Sequence, residues 1–396
     1  MMHIVLLTHP PFLKSESMPR FASMLHKAYT NRGESVEMLT PKAYFSRLSK
    51  WLANEKWLGY LDQYLLFPLK ILAKRHEYRN RQDVLYVFCD QALGPWVPFL
   101  RHCPHVIHAH DLLALRSALG DIPQNPTSWS GKIYQRYIRW GFSKGRSFIA
   151  VSGRTKDELV AFGGINPEYI EVVYNGFNNE FSPTPRSTIR TTMGQLLPGD
   201  SNGWLLHVGG GHWYKNTVGV IHLYAEYVRQ LVEARRPVLP LLMVAPEPDA
   251  AVLAALTHVA SQGNVLFRQG LSSAQLQAAY SGAAAFIFPS FAEGFGWPII
   301  EAQACGTLVL TTDDRPMNEI GGPSVFYVPR LEFDASVSTW ARGAANTLLS
   351  MIDLDLDERR RRIDLGTAWI QKFEPQLVVE QYLSVYRVAL AGARSA

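Results

Sequence analysis

The chain of 396 residues is long enough for two domains, and its 47% hydrophobic and 18% charged residues are ordinary for a globular protein. No apolar run approaches the roughly 18 residues that a spanning helix needs, which argues against an integral membrane protein. The first residues read as a β-strand rather than a signal peptide, and three scattered cysteines offer neither a metal spacing nor a disulfide framework. We therefore expect a cytoplasmic protein.

The positive charge is concentrated in the first half of the chain. Residues 1–185 contain 22 basic against 15 acidic residues, a net of +7, whereas the remainder contains 17 against 19, a net of −2. The net positive charge of the first half therefore favours binding to an anionic partner.

Short apolar runs separated by amphipathic segments predict two successive open α/β sheets. The first half has predicted strands at 3–8, 35–39, 84–88, 105–109, 147–151 and around 170–173. A Pro-rich and polar linker follows, from Pro183 to Asn202. The second half has predicted strands at 204–208, 241–245, 264–267, 284–288, 307–312 and 325–328, and an amphipathic helix at 376–390.

Two helical segments of the first half combine basic and aromatic residues. Residues 42–81 hold nine Lys or Arg against three acids, and residues 131–146 repeat the pattern. The aromatic members are Tyr44, Phe45, Trp51, Trp57, Tyr60, Tyr64, Phe67, Tyr134, Tyr137, Trp140 and Phe142. Such helices suit an anionic bilayer surface, unless the rings face the core and the charges face water. Nucleic acid is disfavoured, because no recognised binding motif is present.

The strand at 105–109 leads into His108-Ala109-His110-Asp111, and His110 lies at the strand end where open α/β folds place ligands. His108 shares its face but lies deeper in the strand. The alternative interpretation of His110 is a structural histidine.

The strand at 204–208 leads into three glycines, Gly209, Gly210 and Gly211, and then to Lys215 and Asn216 at a helix start. Glycines let the backbone approach a ligand closely. A lysine at a helix start opposes the helix dipole, and an anionic ligand would remove that conflict. Otherwise Lys215 simply reaches into water.

The strand at 284–288 leads into a second glycine loop, with Glu293, Gly294, Phe295 and Gly296, and then into a helix that carries Glu301. A helix start of this kind favours phosphate. The two carboxylates suit the sugar and the ribose of a nucleotide-sugar. The plainer alternative is a surface turn with two unrelated, solvated glutamates.

The E-x7-E spacing with GFG inside it, followed by EAQACG, resembles the retaining GT-B glycosyltransferases of glycosyltransferase family 4. The run from VSGRTKDEL to VVYNGF resembles the end of that family's first domain. The resemblance implies an α/β GT-B protein, with two Rossmann-like domains facing across a cleft. It implies a first domain at 1–185 on the acceptor side, a donor domain at 186–375, and a C-terminal helix at 376–396 that returns to the first domain.

The resemblance also implies roles for these residues. Glu293 contacts the donor sugar near the reacting carbon, Glu301 binds the ribose, and Lys215 binds the diphosphate. His110 faces the donor sugar, while Asp111 orients its ring or contacts the acceptor. The glycines at 209–211, Asn216 and the amides of residues 294–296 complete the donor site, and the loop with Arg268, Gly270 and Leu271 holds the base.

Two loops depart from the family pattern. The loop at 10–15 has no glycine pair, which removes the expected phosphate contact there. The basic residue that usually precedes Lys215 by five positions is Gly210 here, so that contact is missing or comes from His212 or another residue.

We expect no metal and no cofactor beyond the donor itself. Asp353-Leu354-Asp355 looks like a metal motif, but it reads as the capped start of a solvated helix, and Asp313-Asp314 has the wrong spacing. The catalytic residues would be Glu293, His110 and Lys215.

The resemblance implies a retaining hexosyltransferase that uses a GDP- or UDP-sugar of mannose or glucose type. Its acceptor would be a glycan or a lipid-linked oligosaccharide in polysaccharide or lipopolysaccharide synthesis, at the inner membrane face. The alternatives are a non-hydrolysing nucleotide-sugar epimerase, also GT-B, and a catalytically silent sugar-nucleotide-binding protein.

Overall fold

A computed structural model describes residues 1–11, 17–46, 55–177, 180–194, 196 and 203–392, and only the backbone of residues 17 and 55–57. Most of the 10–15 loop, Trp51, the side chain of Trp57 and much of the linker up to residue 202 therefore lie outside the described residues. The chain divides into two compact units, Met1–Asn178 with Phe373–Ala396, and Asn179–Lys372.

The first unit is a parallel sheet with helices on its faces. Its strands are β1 (His3–Leu7), β2 (Ser35–Leu39), β3 (Val84–Phe88), β4 (His105–Ala109), β5 (Phe148–Ala150) and β6 (Ile170–Val172). Its helices are α1 (Ser17–Asn31), α2 (Glu55–Leu61), α3 (Phe67–Glu77), α4 (Val97–Leu100), α5 (Leu113–Leu119), α6 (Trp129–Phe142) and α7 (Gly153–Glu158). A π-helical turn at Asp62–Leu66 joins α2 to α3.

The second unit repeats this architecture. Its strands are β7 (Trp204–Val208), β8 (Leu241–Val244), β9 (Val265–Arg268), β10 (Ala283–Phe288), β11 (Val309–Thr312) and β12 (Phe326–Val328). Its helices are α8 (Arg186–Met193), α9 (Thr217–Glu233), α10 (Ala250–Leu256), α11 (Ser273–Ser281), α12 (Trp297–Ala304), α13 (Met317–Gly321), α14 (Val337–Ile352) and α15 (Leu356–Ile370). The last helix, α16 (Pro375–Gly392), belongs to the first unit.

The strand orders locate the ligand-binding edge of each sheet. The first sheet has the order β2-β1-β3-β4-β5-β6 and the second has β12-β11-β10-β7-β8-β9. All of the strand pairs are parallel. The order reverses between β1 and β3 in the first sheet and between β7 and β10 in the second. Open α/β sheets bind ligands at the carboxyl ends of the strands beside such a reversal.

The strand sequences explain this arrangement. β1, β3, β4 and β5 are buried along their whole length, as expected for strands covered on both faces. The helix α16 covers one face of the first sheet, where Tyr382 and Tyr386 are buried among residues of β1, β3 and β4. The predicted C-terminal helix therefore does return to the first unit.

The acidic run near residue 353 is a helix start, as its sequence predicts. Asp355 is the N-cap of α15 and its carboxylate accepts the backbone N–H of Glu358 at 2.8 Å. Asp353 is paired with Arg236 on the surface. This arrangement occupies both carboxylates in structural roles.

Candidate active site

Lys215 and Glu293 form an ion pair at the carboxyl edge of the second sheet. Lys215 follows β7 and Glu293 follows β10, the two strands between which the strand order reverses. The Lys215 ammonium donates to both carboxylate oxygens of Glu293, at 2.9 and 3.1 Å. Both side chains are largely buried. The interpretation of Lys215 as a lysine that reaches freely into water is therefore wrong.

Asn216 holds the loops of this pair together. Its backbone has a φ of 53°, a left-handed conformation that asparagine tolerates better than most residues. The side-chain oxygen accepts the Gly219 N–H and so caps α9, while the side-chain amide donates to the Pro289 carbonyl at 2.9 Å. A backbone hydrogen bond from Phe291 to Tyr214 adds a second link between the same loops.

The glycine run after β7 is tightly packed on one side. Gly209 and Gly211 have φ values of 122° and 74°, which favour glycine. A Cβ on Gly210 would lie 2.9 Å from both Ala245 Cβ and Pro246 Cδ. The space that a side chain at position 210 would need is therefore filled by the loop after β8. His212 is exposed and its ring is stacked on Tyr214.

Glu301 lies one turn into α12 and is buried, with 7% of its surface exposed. The Tyr280 hydroxyl donates to its carboxylate at 3.0 Å. Burial raises the pKa of Glu301 to about 7, and the hydrogen bond from Tyr280 and the charge of Lys215 oppose that rise. Because Lys215 acts on its pKa, Glu301 belongs to the same electrostatic site as the Lys215–Glu293 pair.

The other predicted donor residues surround this pair or lie farther along the sheet edge. Gly296 has a φ of 102° and is the N-cap of α12, while Phe295 is buried beside it. Arg268 ends β9, and its guanidinium donates to the backbone carbonyls of Phe267 and Leu196. Gly270 has open space where a Cβ would stand, and Leu271 packs on the core.

His110 lies at the end of β4 in the first unit and is 8% exposed. Its Nε2 donates to the Cys89 carbonyl at 3.0 Å, and its ring packs edge-on against Phe21. Its buried Nδ1 has no hydrogen-bonding partner among the residues that the structure describes. Burial lowers the pKa of His110, so that the neutral ring is favoured.

Asp111 does not orient the His110 ring. Its carboxylate instead accepts the backbone N–H of Leu113 at 3.0 Å, at the start of α5. The ring is oriented by Cys89 and Phe21, so of the two roles considered for Asp111 only contact with the acceptor is left as a prediction. His108 is fully buried and hydrogen-bonded to the Tyr386 hydroxyl at 2.6 Å, which makes it a structural residue.

The sequence interpretation missed two residues beside His110. His9 follows β1 and Asp90 follows β3, and His9 Nε2 donates to Asp90 Oδ2 at 2.8 Å. His9 and Asp90 are 81 residues apart, so no local motif signals the pair. Their common position, just after neighbouring parallel strands, was the available signal.

The basic and aromatic segments divide between core and surface. Phe67 and Phe142 are buried, and the hydroxyls of Tyr64 and Tyr134 are hydrogen-bonded to each other at 2.6 Å. A stripe of leucines along α2 and α3 and three residues of α6 are exposed instead: Leu61, Leu65, Leu69, Leu72, Ile133, Tyr137 and Trp140. We call these seven residues the apolar patch. Exposed Lys70, Lys132 and Arg136 lie on the same helices.

The described ranges contain no cluster of three or more His, Cys, Asp or Glu residues suited to a metal ion. Among the helices within those ranges, none has the length and apolar character that crossing a bilayer requires.

Two family models match the chain in succession. The model for Glycosyltransferase Family 4 matches residues 18–181, and the model for Glycosyl transferases group 1 matches residues 190–329. The chain belongs to glycosyltransferase family 4. Lys215, Glu293 and Glu301 all lie within the group 1 match, and His110 lies within the family 4 match.

This family 4 chain is similar to several curated enzymes. It is 30% identical to a D-inositol 3-phosphate glycosyltransferase of Gordonia bronchialis over 56% of this chain and 47% of that one. It is 25% identical to the O-antigen chain mannosyltransferase RfbU of Salmonella typhimurium over 51% and 52%. The matched region thus spans about half the length of these relatives. An alpha-maltose-1-phosphate synthase of Mycolicibacterium smegmatis is 24% identical over 74% and 75%.

Solved structures share the fold of this family 4 chain over its whole length. Sucrose-phosphate synthase from Thermosynechococcus elongatus has a TM-score of 0.71 at 18% identity, covering 99% of this chain and 100% of that one. The Anabaena protein HepE, in complex with UDP-glucose, has a TM-score of 0.67 at 17% identity, with full coverage of both. The two Rossmann-like units thus form a GT-B fold, as the sequence predicts.

Proposed function

We propose that this family 4 protein is a retaining hexosyltransferase that uses a nucleotide-diphosphate sugar. The donor is a GDP- or UDP-sugar of mannose or glucose type, and the acceptor is a glycan or a lipid-linked oligosaccharide of a cell-surface polysaccharide. The observation that carries the proposal is the Lys215–Glu293 pair at the strand-order reversal, with buried Glu301 in the same electrostatic site.

The pair matches the charges of glycosyl transfer. When the bond from the anomeric carbon to the diphosphate breaks, its electron pair stays on the leaving oxygen and the carbon becomes positive. Lys215 meets the negative charge and Glu293 meets the positive charge. Positioned charges of this kind contribute roughly 10²–10³ in rate each. Their hydrogen bond keeps both groups in place before the donor arrives.

Glu301 suits the ribose. An ionised carboxylate accepts two hydrogen bonds from neighbouring hydroxyls, and hydroxyls that donate to it would favour its charged form. With a pKa of about 7 before the donor binds, Glu301 is ionised only in part at neutral pH. Nucleotide affinity should therefore rise with pH through this range.

The activities of named relatives support the proposal in outline. The relatives that match about half of this chain include an O-antigen chain mannosyltransferase and a D-inositol 3-phosphate glycosyltransferase, and HepE holds UDP-glucose on the same fold. We propose in addition the mannose or glucose type of the donor, the polysaccharide acceptor and transfer without a metal ion.

A donor panel tests the proposal. UDP-glucose, GDP-mannose and their sugar-free nucleotides are compared by thermal shift, because a ligand that binds only the folded protein raises its melting temperature. We expect stabilisation by one nucleotide family and transfer of its sugar to a glycan. Interconversion of the donor alone would support the epimerase, and binding without turnover of any acceptor would support the silent protein.

We also propose that the first unit places the enzyme on the anionic inner membrane face. The apolar patch follows helical spacing at residues 61, 65, 69 and 72, and cations flank it. Aromatic rings settle at the headgroup level, and each nearby Lys or Arg adds on the order of 1 kcal/mol of attraction to an anionic leaflet. Lys74 is less suited to this task, because it is already paired with Glu37 and Glu77.

Vesicle sedimentation tests this location. We expect salt-sensitive binding to anionic vesicles and little binding to neutral ones. The double variant Leu65→Ser/Leu69→Ser should lose most of this binding, and Lys70→Ser/Lys132→Ser/Arg136→Ser should lose its salt-sensitive part. Leu253→Ser, an exposed leucine of the second unit, is the matched control. If the leucine variant and the cation variant both sediment with anionic vesicles as the unmodified protein does, the membrane location is refuted.

A further inference from the structure

His9 and Asp90 form a second ion-pair-like contact at a strand-order reversal, this time in the first sheet. The strands that precede them, β1 and β3, are hydrogen-bonded neighbours with Leu7 opposite Phe88. Asp90 Oδ2 accepts from His9 Nε2 at 2.8 Å, and Asp90 Oδ1 accepts the backbone N–H of Ala92 at 2.9 Å. Both carboxylate oxygens are therefore engaged.

This geometry places a proton of His9 on Nε2. Burial raises the pKa of Asp90, but the hydrogen bond and charge of His9, and the charge of His110, outweigh burial and hold this pKa below its usual range. An ionised carboxylate only accepts hydrogen bonds, so His9 must carry a proton on Nε2. Nδ1 is then the ring nitrogen that is left for a ligand. Within the described ranges no hydrogen bond reaches this atom, and 15% of the side chain is exposed.

His110 presents the same chemistry next to this pair. Its Nε2 donates to the Cys89 carbonyl, which leaves a lone pair on Nδ1, and this buried atom has no partner in the described part of the chain. His110 lies close to this pair, because the Cys89 carbonyl that it binds belongs to the residue directly before Asp90. Burial lowers the pKa of His110, and the charge of Asp90 accordingly opposes this larger effect. A buried acceptor without a partner is unfavourable, because it has lost its hydrogen bonds to water. A ligand hydroxyl that donates to Nδ1 would remove this cost.

We propose that His9, positioned by Asp90, forms with His110 a subsite for sugar hydroxyls in the first unit. Two imidazoles, each with a ring nitrogen that is exposed or unpartnered among the described residues, can form hydrogen bonds with the hydroxyls of a polyol, which both donate and accept. The inference rests on the proposed glycosyl transfer, in which the hydroxyl belongs either to the transferred sugar or to the acceptor. Asp90 is a positioning residue and His9 is the residue that touches the sugar.

The test observes the imidazole nitrogens of the full chain by ¹⁵N-histidine NMR. The probes are UDP-glucose and GDP-mannose for the donor, octyl α-D-mannopyranoside and octyl α-D-glucopyranoside for the acceptor, and UDP and GDP as sugar-free controls. We expect a proton on Nε2 of both His9 and His110, and a shift of both Nδ1 resonances with a sugar-bearing probe but not with UDP or GDP. A shift with nucleotide-sugars alone assigns the donor hydroxyl, and one with glycosides alone assigns the acceptor hydroxyl.

Different measurements would refute the subsite and the proposed function. If a nucleotide-sugar raises the melting temperature but no sugar-bearing probe moves either Nδ1 resonance, the subsite is refuted and the glycosyltransferase proposal stands. If no nucleotide-sugar binds, the proposed function fails. Unmoved Nδ1 resonances with every probe refute the subsite in that case as well.

The variant Asp90→Asn separates positioning from packing. Its amide oxygen is required by the Ala92 N–H, so the NH₂ group faces His9 Nε2 and should turn His9 into the Nδ1–H tautomer. We expect the sugar-induced shift of His9 to disappear and the KM for the sugar whose hydroxyl binds there to rise about tenfold, with unchanged affinity for UDP or GDP. Persistence of the Nε2–H tautomer would refute the positioning role.

The variant His9→Gln gives a second measure in case Asp90→Asn folds poorly. It should raise the same KM about tenfold while nucleotide affinity is retained. His102→Gln, a surface histidine of the same unit, is the matched control. If His9→Gln has a lower melting temperature but normal sugar-induced shifts of His110 and a normal KM, His9 has only a structural role.

Discussion

The two units place an acid–base pair at the same point of similar sheets, yet the pairs differ in their basic residue. In the second unit a lysine meets a carboxylate across β7 and β10, and in the first unit a histidine meets a carboxylate across β1 and β3. The distances are 2.9 and 2.8 Å. The fold thus supplies the position, and the side chain decides which ligand the position suits.

The difference follows from the charge that each ligand brings. The ammonium group of Lys215 suits a diphosphate. The imidazoles of the first unit offer ring nitrogens, which suit hydroxyls. Among the described residues of the first unit, the exposed cations Lys70, Lys132 and Arg136 lie on α3 and α6.

Removing Lys215 should have the largest effect. We expect Lys215→Ala to slow transfer by about 10²-fold or more and to weaken nucleoside diphosphate binding. The reason is twofold, because the diphosphate loses its cation and Glu293 is left buried without its partner. Calorimetric titration with UDP and GDP and initial rates measure the two losses. Arg342→Ala, a surface cation of the same unit, should change neither. Unchanged nucleotide affinity would remove Lys215 from the donor site.

Neutralising Glu293 should reduce turnover with little change in nucleotide affinity. In Glu293→Gln the carbon that becomes positive loses its carboxylate, and this interaction is made mainly in the transition state. We expect a loss in kcat of about 10²-fold. An equal loss of nucleotide affinity with intact kcat would contradict this division of roles between Glu293 and Lys215.

Glu301→Gln should weaken the nucleotide by about tenfold and stabilise the protein in alkaline solution. The folded pKa is raised to about 7 from 4.5, so ionised Glu301 opposes folding fully above pH 7 and not at all below about pH 4.5. The variant should gain on the order of 3 kcal/mol at pH 8.5. Urea unfolding at pH 5 and pH 8.5 measures this gain, with Glu233→Gln as an exposed control. A gain that is independent of pH would show that ionisation of Glu301 is not its cause.

The smallest expected effect is that of chelation. If Lys215 and the start of α12 meet the phosphate charge, transfer should continue in excess EDTA. Rates with EDTA, and with Mg²⁺ or Mn²⁺ added back, measure this. A strict requirement for either ion would mean that the acidic residues at 313–314 or 353–355 were dismissed wrongly.

Local signals predicted the sheets well. Strands β2, β3, β4 and β7 begin and end where the sequence predicts, because apolar runs are bounded there by Gly, Pro or charged residues. Lys215, Glu293 and Glu301 were singled out on glycine loops and spacing, and the structure brings them together. Their contact could not be read from sequence spacing alone, since it depends on β7 and β10 being neighbours.

The parts that sequence analysis missed are those that depend on distant partners. The His9–Asp90 pair arises from the pairing of β1 with β3 rather than from any motif. Lys74 and Arg75 belong to the basic segment at 42–81, yet Lys74 is paired with Glu37 and Arg75 donates to the Phe99 carbonyl. The lack of space at Gly210 depends on Ala245 and Pro246, which belong to a different loop.

Asn216 couples the loop after β7 to the loop after β10. Its side chain caps α9 with one atom and binds the Pro289 carbonyl with another, so the start of a 17-residue helix is tied to the loop that carries Glu293. An outward movement of the Glu293 loop must either break the hydrogen bond between Asn216 and Pro289 or tilt α9 together with the loop. Donor entry and product release would then be felt at the far end of that helix, about 25 Å away at the α-helical rise per residue.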